Sequence, residues 1–174
     1  YRTVLVDISD GMLREASAKV ESLGLSSQIQ VRSGDIRSMP EFDDAQFSMV
    51  LCQGDPLSYC GDHVMALREL VRVLKPGGTL VASVDNRARA LRWIQDSADL
   101  APVEELLSLG TVASPQEHEH DSYTVHAFTA EELKGLFEDA GLQVLRIIGK
   151  PVIVDRLSCF RSPDPAVQSR LLEN

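Results

Sequence analysis

Two aspartates stand where a carboxylate could hold a ligand. Asp7 closes the apolar run Val4-Leu5-Val6, and Asp35 follows Gly34 just beyond a second short run ending at Arg32. An ionised carboxylate accepts hydrogen bonds at about four lone-pair sites, so one group can serve both hydroxyls of a sugar diol or the amino group of a base. Ile36, next to Asp35, offers apolar surface for a flat ring. A third cluster, Gln53-Gly54-Asp55-Pro56-Leu57-Ser58-Tyr59, follows the run Phe47–Cys52. Asp55 and Tyr59 there, with His126 further along, are the side chains able to take a proton from a reacting group. Each has an ordinary structural reading as well: aspartate is common at strand ends, helix starts and turns, and Met12 and Ile36 could be core. His118-Glu119-His120-Asp121 contains metal-ligand types, but the stretch is polar and has no clear further ligand, so no metal site is assigned.

These residues must be positioned by strands and helices that alternate. Thr3–Val6 reads as a strand buried on both faces, as in a parallel sheet. Ser9 or Asp10 caps a helix whose apolar positions are Met12, Leu13, Ala16, Val20 and Leu23, with Gly24 as its stop. Residues 28–32 and 47–52 read as the next strands, and 53–61 as a connection. Asp62 caps a helix with Val64, Leu67, Val71 and Leu74 on its buried stripe. Lys75-Pro76-Gly77-Gly78 ends that helix, and 79–84 is a fourth strand. Residues 87–108 are helical with a break near Pro102, 110–121 a loop or lid, and 122–128 a short strand. Thr129 and Glu132 form a capping box for a helix that Gly141 ends. Residues 142–148 then read as a strand, with 151–160 antiparallel to it. The alternation implies a doubly wound α/β fold, its sheet mostly parallel with a C-terminal antiparallel strand.

The chain has 174 residues, enough for one core, with 44% hydrophobic and 25% charged residues, an ordinary globular composition. No apolar run approaches the about 20 residues that span a bilayer, and a cytoplasmic location is the expectation. A net charge of −9 with no cluster of Lys and Arg disfavours a nucleic-acid substrate. Three cysteines, Cys52, Cys60 and Cys159, without C-x-x-C spacing read as free thiols.

The order of these motifs resembles the class I S-adenosylmethionine-dependent methyltransferases, near their small-molecule branch. The resemblance rests on VDIS with Met12-Leu13, on GDI at 34–36, on FSMVLCQGDPLSY at 47–59 and on ELVRVLKPGGTLVASV at 69–84. FTAEELKGLFEDAGLQVLRI at 128–147 looks like the helix and strand before the family's final hairpin. It implies S-adenosylmethionine as cofactor, with Asp7 on the ribose, Ile8 and Met12 against the adenine, and Asp35 and Ile36 at its edge and face. Gln53 and Gly54 would meet the methionine portion. The family's glycine-rich first strand–loop–helix is expected before Tyr1, its strand between the runs at Val4 and Phe47. The expected organisation is a partial methyltransferase domain over 1–160, with 87–128 a substrate cover and 161–174 a tail. A small-molecule O, N or C acceptor is expected, and a homodimer is compatible with this. The rivals are a tRNA methyltransferase, a nicotinamide-dependent enzyme that also places an acid after its second strand, and a non-catalytic methyltransferase-like domain.

Overall fold

The computed structural model describes residues 2–91, 94, 100–113 and 123–149. They fall into two compact units, Tyr1–Ser83 and Val84–Asn174.

The first unit is two parallel strand pairs with their helices. Strand β1 (Thr3–Asp7) leads through α1 (Asp10–Ser22) to β2 (Ile29–Ser33). β1 and β2 pair in register from Thr3 opposite Ile29 to Asp7 opposite Ser33. Ser9 is the N-cap of α1, its hydroxyl accepting from the Met12 amide, and Gly24 takes the left-handed turn (φ 67°) after it. Strand β3 (Phe47–Cys52) is followed by α2 (Pro56–Tyr59), α3 (His63–Val73) and β4 (Leu74–Ala82). Asp62 caps α3 as its sequence suggests, accepting from the Met65 amide at 2.8 Å. The short helix α2 lies inside the connection expected over 53–61. Pro56 in its first turn supplies a helical φ and lacks the amide that would go unpaired there.

β4 starts earlier than the sequence suggests. Leu74 already pairs with Phe47, and pairing resumes at Thr79 with Met49. Lys75–Gly78 is thus an irregularity inside the strand, where Gly77 takes φ 75°. The core of this unit gathers Phe42, Cys52, Leu57, Leu67, Leu70 and Val73, all buried. Phe42 meets Phe47 edge-on, with ring centroids 5.3 Å apart. Arg72 on α3 pins the 39–44 loop. Its guanidinium donates to the carbonyls of Met39 and Phe42, both at 2.9 Å, and to the carboxylates of Glu69 and Asp44.

In the second unit, α4 (Arg87–Ala90) and α5 (Ala101–Leu109) are followed by β5 (Thr111–Ala113), β6 (Thr124–His126) and α6 (Ala130–Asp139). Pro102 sits in the first turn of α5, at the break expected in the helical stretch. β5 and β6 pair antiparallel, Val112 opposite Val125. The loop expected over 110–121 therefore opens as a strand: Gly110 reverses the chain at φ 76°, and the β-branched Thr111 and Val112 follow. Ala90, Ile94, Leu106, Val112, Val125 and Ala127 form its core. The capping box of α6 is complete, with Thr129 and Glu132 each satisfying the other's backbone amide.

Residues 142–148 do not form a strand. Leu145 is 81% exposed and the segment has no ladder partner among the described residues. β-branched apolar residues favour a strand only when a neighbour accepts their backbone groups. The expected partner, 151–160, lies outside the described residues, as do His118 and His120. No helix among the described residues is long and apolar enough to cross a membrane.

Candidate cofactor site

The parallel pair β1–β2 brings the two ligand-type acids to one edge. Asp7 and Ser33 are register partners at the carboxyl ends of their strands. The Gly34 amide donates to the Asp7 carbonyl at 3.1 Å, so Asp35 leaves the sheet one residue beyond this tie. Gly34 is needed for the close approach: a Cβ there would lie 2.7 Å from Val6 Cγ1 and 3.0 Å from Glu41 Oε1. Ligands of open α/β sheets bind along this edge.

The Asp7 carboxylate accepts the Ser9 amide at 2.8 Å on Oδ1. That one bond orients it and leaves acceptor capacity for a diol. Next to it, Ile8 is 70% exposed and Met12 60% exposed. Large apolar side chains left open beside polar acceptors are the kind of surface that a bound aromatic ring covers. Ile36 is half-buried beside Asp35. The residues present therefore fit an adenosine: acceptors for its hydroxyls and amino group, with apolar walls for its base.

Asp35 carries more than the sequence suggests. Residues 35–38 form a tight turn, the Ser38 amide donating to the Asp35 carbonyl at 2.9 Å. Within it the Arg37 amide donates to Asp35 Oδ1 at 2.9 Å, and the Arg37 side chain folds back onto the same carboxylate. Nε lies 3.0 Å from both oxygens and Nη2 2.5 Å from Oδ2. The hydrogen-bonded Arg37 guanidinium holds the Asp35 carboxyl below the usual carboxylate range.

At the carboxyl end of β3 the chain turns sharply. Gly54 has φ 90° and Asp55 φ 62°, a left-handed conformation that aspartate tolerates better than most residues. Ser83, just past β4, braces the turn: its hydroxyl accepts the Gly54 amide at 3.1 Å and the Asp55 amide at 3.2 Å. Asp55 Oδ1 is buried without a hydrogen-bond partner among the described residues. Gln53 and Gly54 are exposed, and Tyr59 stands partly exposed on α2. Asp55 and Tyr59 thus share one short turn–helix segment of the first unit.

His126 belongs to the second unit, at the end of β6. Its Nε2 lies 2.7 Å from Glu132 Oε1, and its ring packs edge-on against Phe128 with centroids 4.4 Å apart. Arg87 pairs with the other oxygen of Glu132 and donates through Nε to the Ala127 carbonyl at 3.1 Å. Gly110 faces this group, and a Cβ on it would overlap Arg87 Nη2 and lie 3.0 Å from His126 Cε1. Three participants escape a motif-based reading: Arg37, Ser83 and Glu132. Glu132 is legible as a capping residue but not as the partner of His126, because the two meet only after the turn at 127–129 is formed.

Residues 1–78 match the family model described as a methyltransferase domain. The demethylmenaquinone methyltransferase of Staphylococcus carnosus is 30% identical over 145 residues, covering 82% of this chain and 58% of that protein. Residues 1–78 thus match a methyltransferase domain, and the chain is similar to the class I S-adenosylmethionine-dependent methyltransferases. The ubiquinone/menaquinone biosynthesis C-methyltransferase UbiE of Klebsiella pneumoniae is 26% identical, with 82% and 57% covered. The chain thus spans somewhat over half the length of these relatives. A SAM-dependent methyltransferase from Methanosarcina mazei shares the Rossmann-like fold, with a TM-score of 0.63 and 21% identity over 79% of this chain and 68% of that one.

Proposed function

We propose that this domain binds S-adenosylmethionine along the carboxyl edge of β1 and β2 and serves methyl transfer to a small-molecule acceptor. The observation that carries the reading is the convergence of Asp7 and Asp35 on one strand edge, with Ile8 and Met12 left open beside them. Asp7 takes the ribose hydroxyls, Ile8 and Met12 the adenine face, and Asp35 and Ile36 its amino edge and second face. Gln53 and Gly54 meet the methionine portion from the braced turn after β3.

The cofactor supplies a methyl group already activated on a sulfonium. What remains for the protein is proximity and in-line orientation. A base is needed only where the acceptor must lose a proton; Asp55 and Tyr59 of the first unit and His126 of the second are the candidates. The names of the relatives above support a ring-carbon acceptor of the quinone type. Arg37, Arg72 and Arg87 are each turned onto carboxylates rather than gathered into a patch, which favours a small molecule over tRNA. A cytoplasmic homodimer accommodates this reading.

Calorimetric titration with S-adenosylmethionine tests it, using residues 1–174 and a longer version of the natural reading frame. Binding by the longer version, lost on Asp7→Ala, is the expected result. A folded longer version that shows no binding refutes the cofactor assignment.

A further inference from the structure

We propose that Arg37 is a positioning residue for the cofactor's adenine, clamping the Asp35 carboxylate so that it can accept from a single further N–H donor. The inference rests on the reading of Asp35 as the acceptor of the adenine amino group.

The argument is a count of acceptor sites. A carboxylate offers about four. On Oδ1, the Arg37 amide and Nε occupy both, at 2.9 and 3.0 Å. On Oδ2, Nη2 occupies one at 2.5 Å. What remains is one site on Oδ2, which Nε also approaches at 3.0 Å. Asp7 differs: among its described contacts only the Ser9 amide reaches its carboxylate, at 2.8 Å. One acid is therefore open to two donors and the other restricted to one. A ribose presents two hydroxyls, and an adenine edge presents one amino N–H toward a given acceptor. The division of labour between the two acids follows from what each already holds.

The clamp is local and preorganised. The 35–38 turn places the Arg37 amide on Asp35 Oδ1, and the guanidinium then meets the carboxylate in the planar fork geometry that arginine supplies and lysine does not. Other ionisable groups face this pair. Cys60 and Asp62, at the turn between α2 and α3, act on Arg37, and Glu41 reaches toward Gly34 from the 39–44 loop. Removing Arg37 takes from Asp35 the hydrogen bonds and positive charge that lower its carboxyl. Its carboxyl then protonates at higher pH.

The experiment is calorimetry with S-adenosylhomocysteine and with its hypoxanthine analogue, which carries an oxygen in place of the amino group. Both are titrated into the binding-competent protein and its Arg37→Gln, Arg37→Lys and Asp35→Ala variants, between pH 4 and 8. With Arg37 present, the adenine probe is expected to win and the analogue to be rejected, because two acceptors would face each other. Arg37→Gln should weaken the adenine probe by about tenfold, the scale of one charge-assisted hydrogen bond. It should also narrow the discrimination and move the acid fall-off of affinity to higher pH. Arg37→Lys should recover part of the pH midpoint but little of the discrimination. Loss of binding in Asp35→Ala with Arg37→Gln unchanged in affinity, discrimination and pH midpoint overturns the role of Arg37 alone. Tighter binding by Arg37→Gln overturns it too, since Arg37 would then be a competitor for Asp35. Unchanged binding by Asp35→Ala removes the underlying reading instead.

Discussion

Replacing Gly34 by alanine isolates the contact on which the cofactor edge is built. The new Cβ would stand 2.7 Å from Val6 Cγ1 and 3.0 Å from Glu41 Oε1. The glutamate carboxylate is the far end of an exposed, flexible chain and can move aside. Val6 cannot do so cheaply, because a β-branched side chain in a strand has little χ1 freedom. The strands must therefore separate, and overpacking of this kind costs about 1–3 kcal/mol. The Gly34 amide bond to the Asp7 carbonyl lies in the same contact, so Asp7 and Asp35 shift together and cofactor affinity falls with stability. Val6→Ala removes the offending methyl at a cost of about 1 kcal/mol for a half-buried site. In urea unfolding, the double variant should lose less than the sum of the single losses, by about 1 kcal/mol. Additivity to within about 0.5 kcal/mol would show that the Gly34–Val6 contact does not set the spacing, and the argument would fail.

Asp7→Ala should weaken S-adenosylmethionine binding by about 10- to 100-fold, as expected for a carboxylate accepting from two hydroxyls; calorimetry reads it, and an unchanged affinity removes the ribose role. Leu67→Ala should cost about 2–5 kcal/mol in urea unfolding, because Leu67 is fully enclosed on the buried face of α3. Acid should loosen the 39–44 loop: hydrogen bonding from Arg72 holds the Glu69 carboxyl below its ordinary value. That contribution is fully present above the ordinary glutamate value and is lost as pH falls through the lowered folded value. The protection factor of the Met39 amide, which donates to Glu69 at 2.7 Å, should fall as this happens, and Glu69→Gln should remove that pH-dependent loss of protection.

The elements that position the site were legible where hydrophobic runs and punctuation agree. β1 ends at Asp7 and β3 at Cys52, because each apolar run meets a polar or glycine-containing break there. The capping box of α6 and the N-caps of α1 and α3 read correctly since they need only neighbours in sequence. What stayed hidden depends on side chains meeting through a turn. Arg37 is two residues from Asp35, yet nothing in a D-x-R triplet shows that a turn will fold the guanidinium back. Ser83 reaches Gly54 across the ends of β3 and β4, a contact of long sequence separation. β5 is three residues long and carries no alternating pattern, so its pairing with β6 has no local signature. Over 142–148 propensity is strong, but no ladder partner lies among the described residues.

The two parallel pairs of the first unit hold the remaining question about the sheet. β1 is bonded to β2 and β3 to β4, and among the described residues neither β1 nor β3 has a second ladder partner. On β3, Met49 is 57% exposed and Leu51 64% exposed. Parallel strands of α/β proteins are ordinarily covered on both faces, and two open edges with apolar side chains are templates for another strand. The family resemblance places one strand between them, with the glycine-rich loop at its carboxyl end. The expected outcome is measurable by hydrogen exchange: in a longer, cofactor-binding version of the natural reading frame, amides on the open edges of β1 and β3 become protected together. In residues 1–174 the same amides exchange quickly while those facing β2 and β4 stay slow. If the longer version binds cofactor with both edges still exchanging freely, no strand fills that position, and the cofactor edge is built from these two pairs alone.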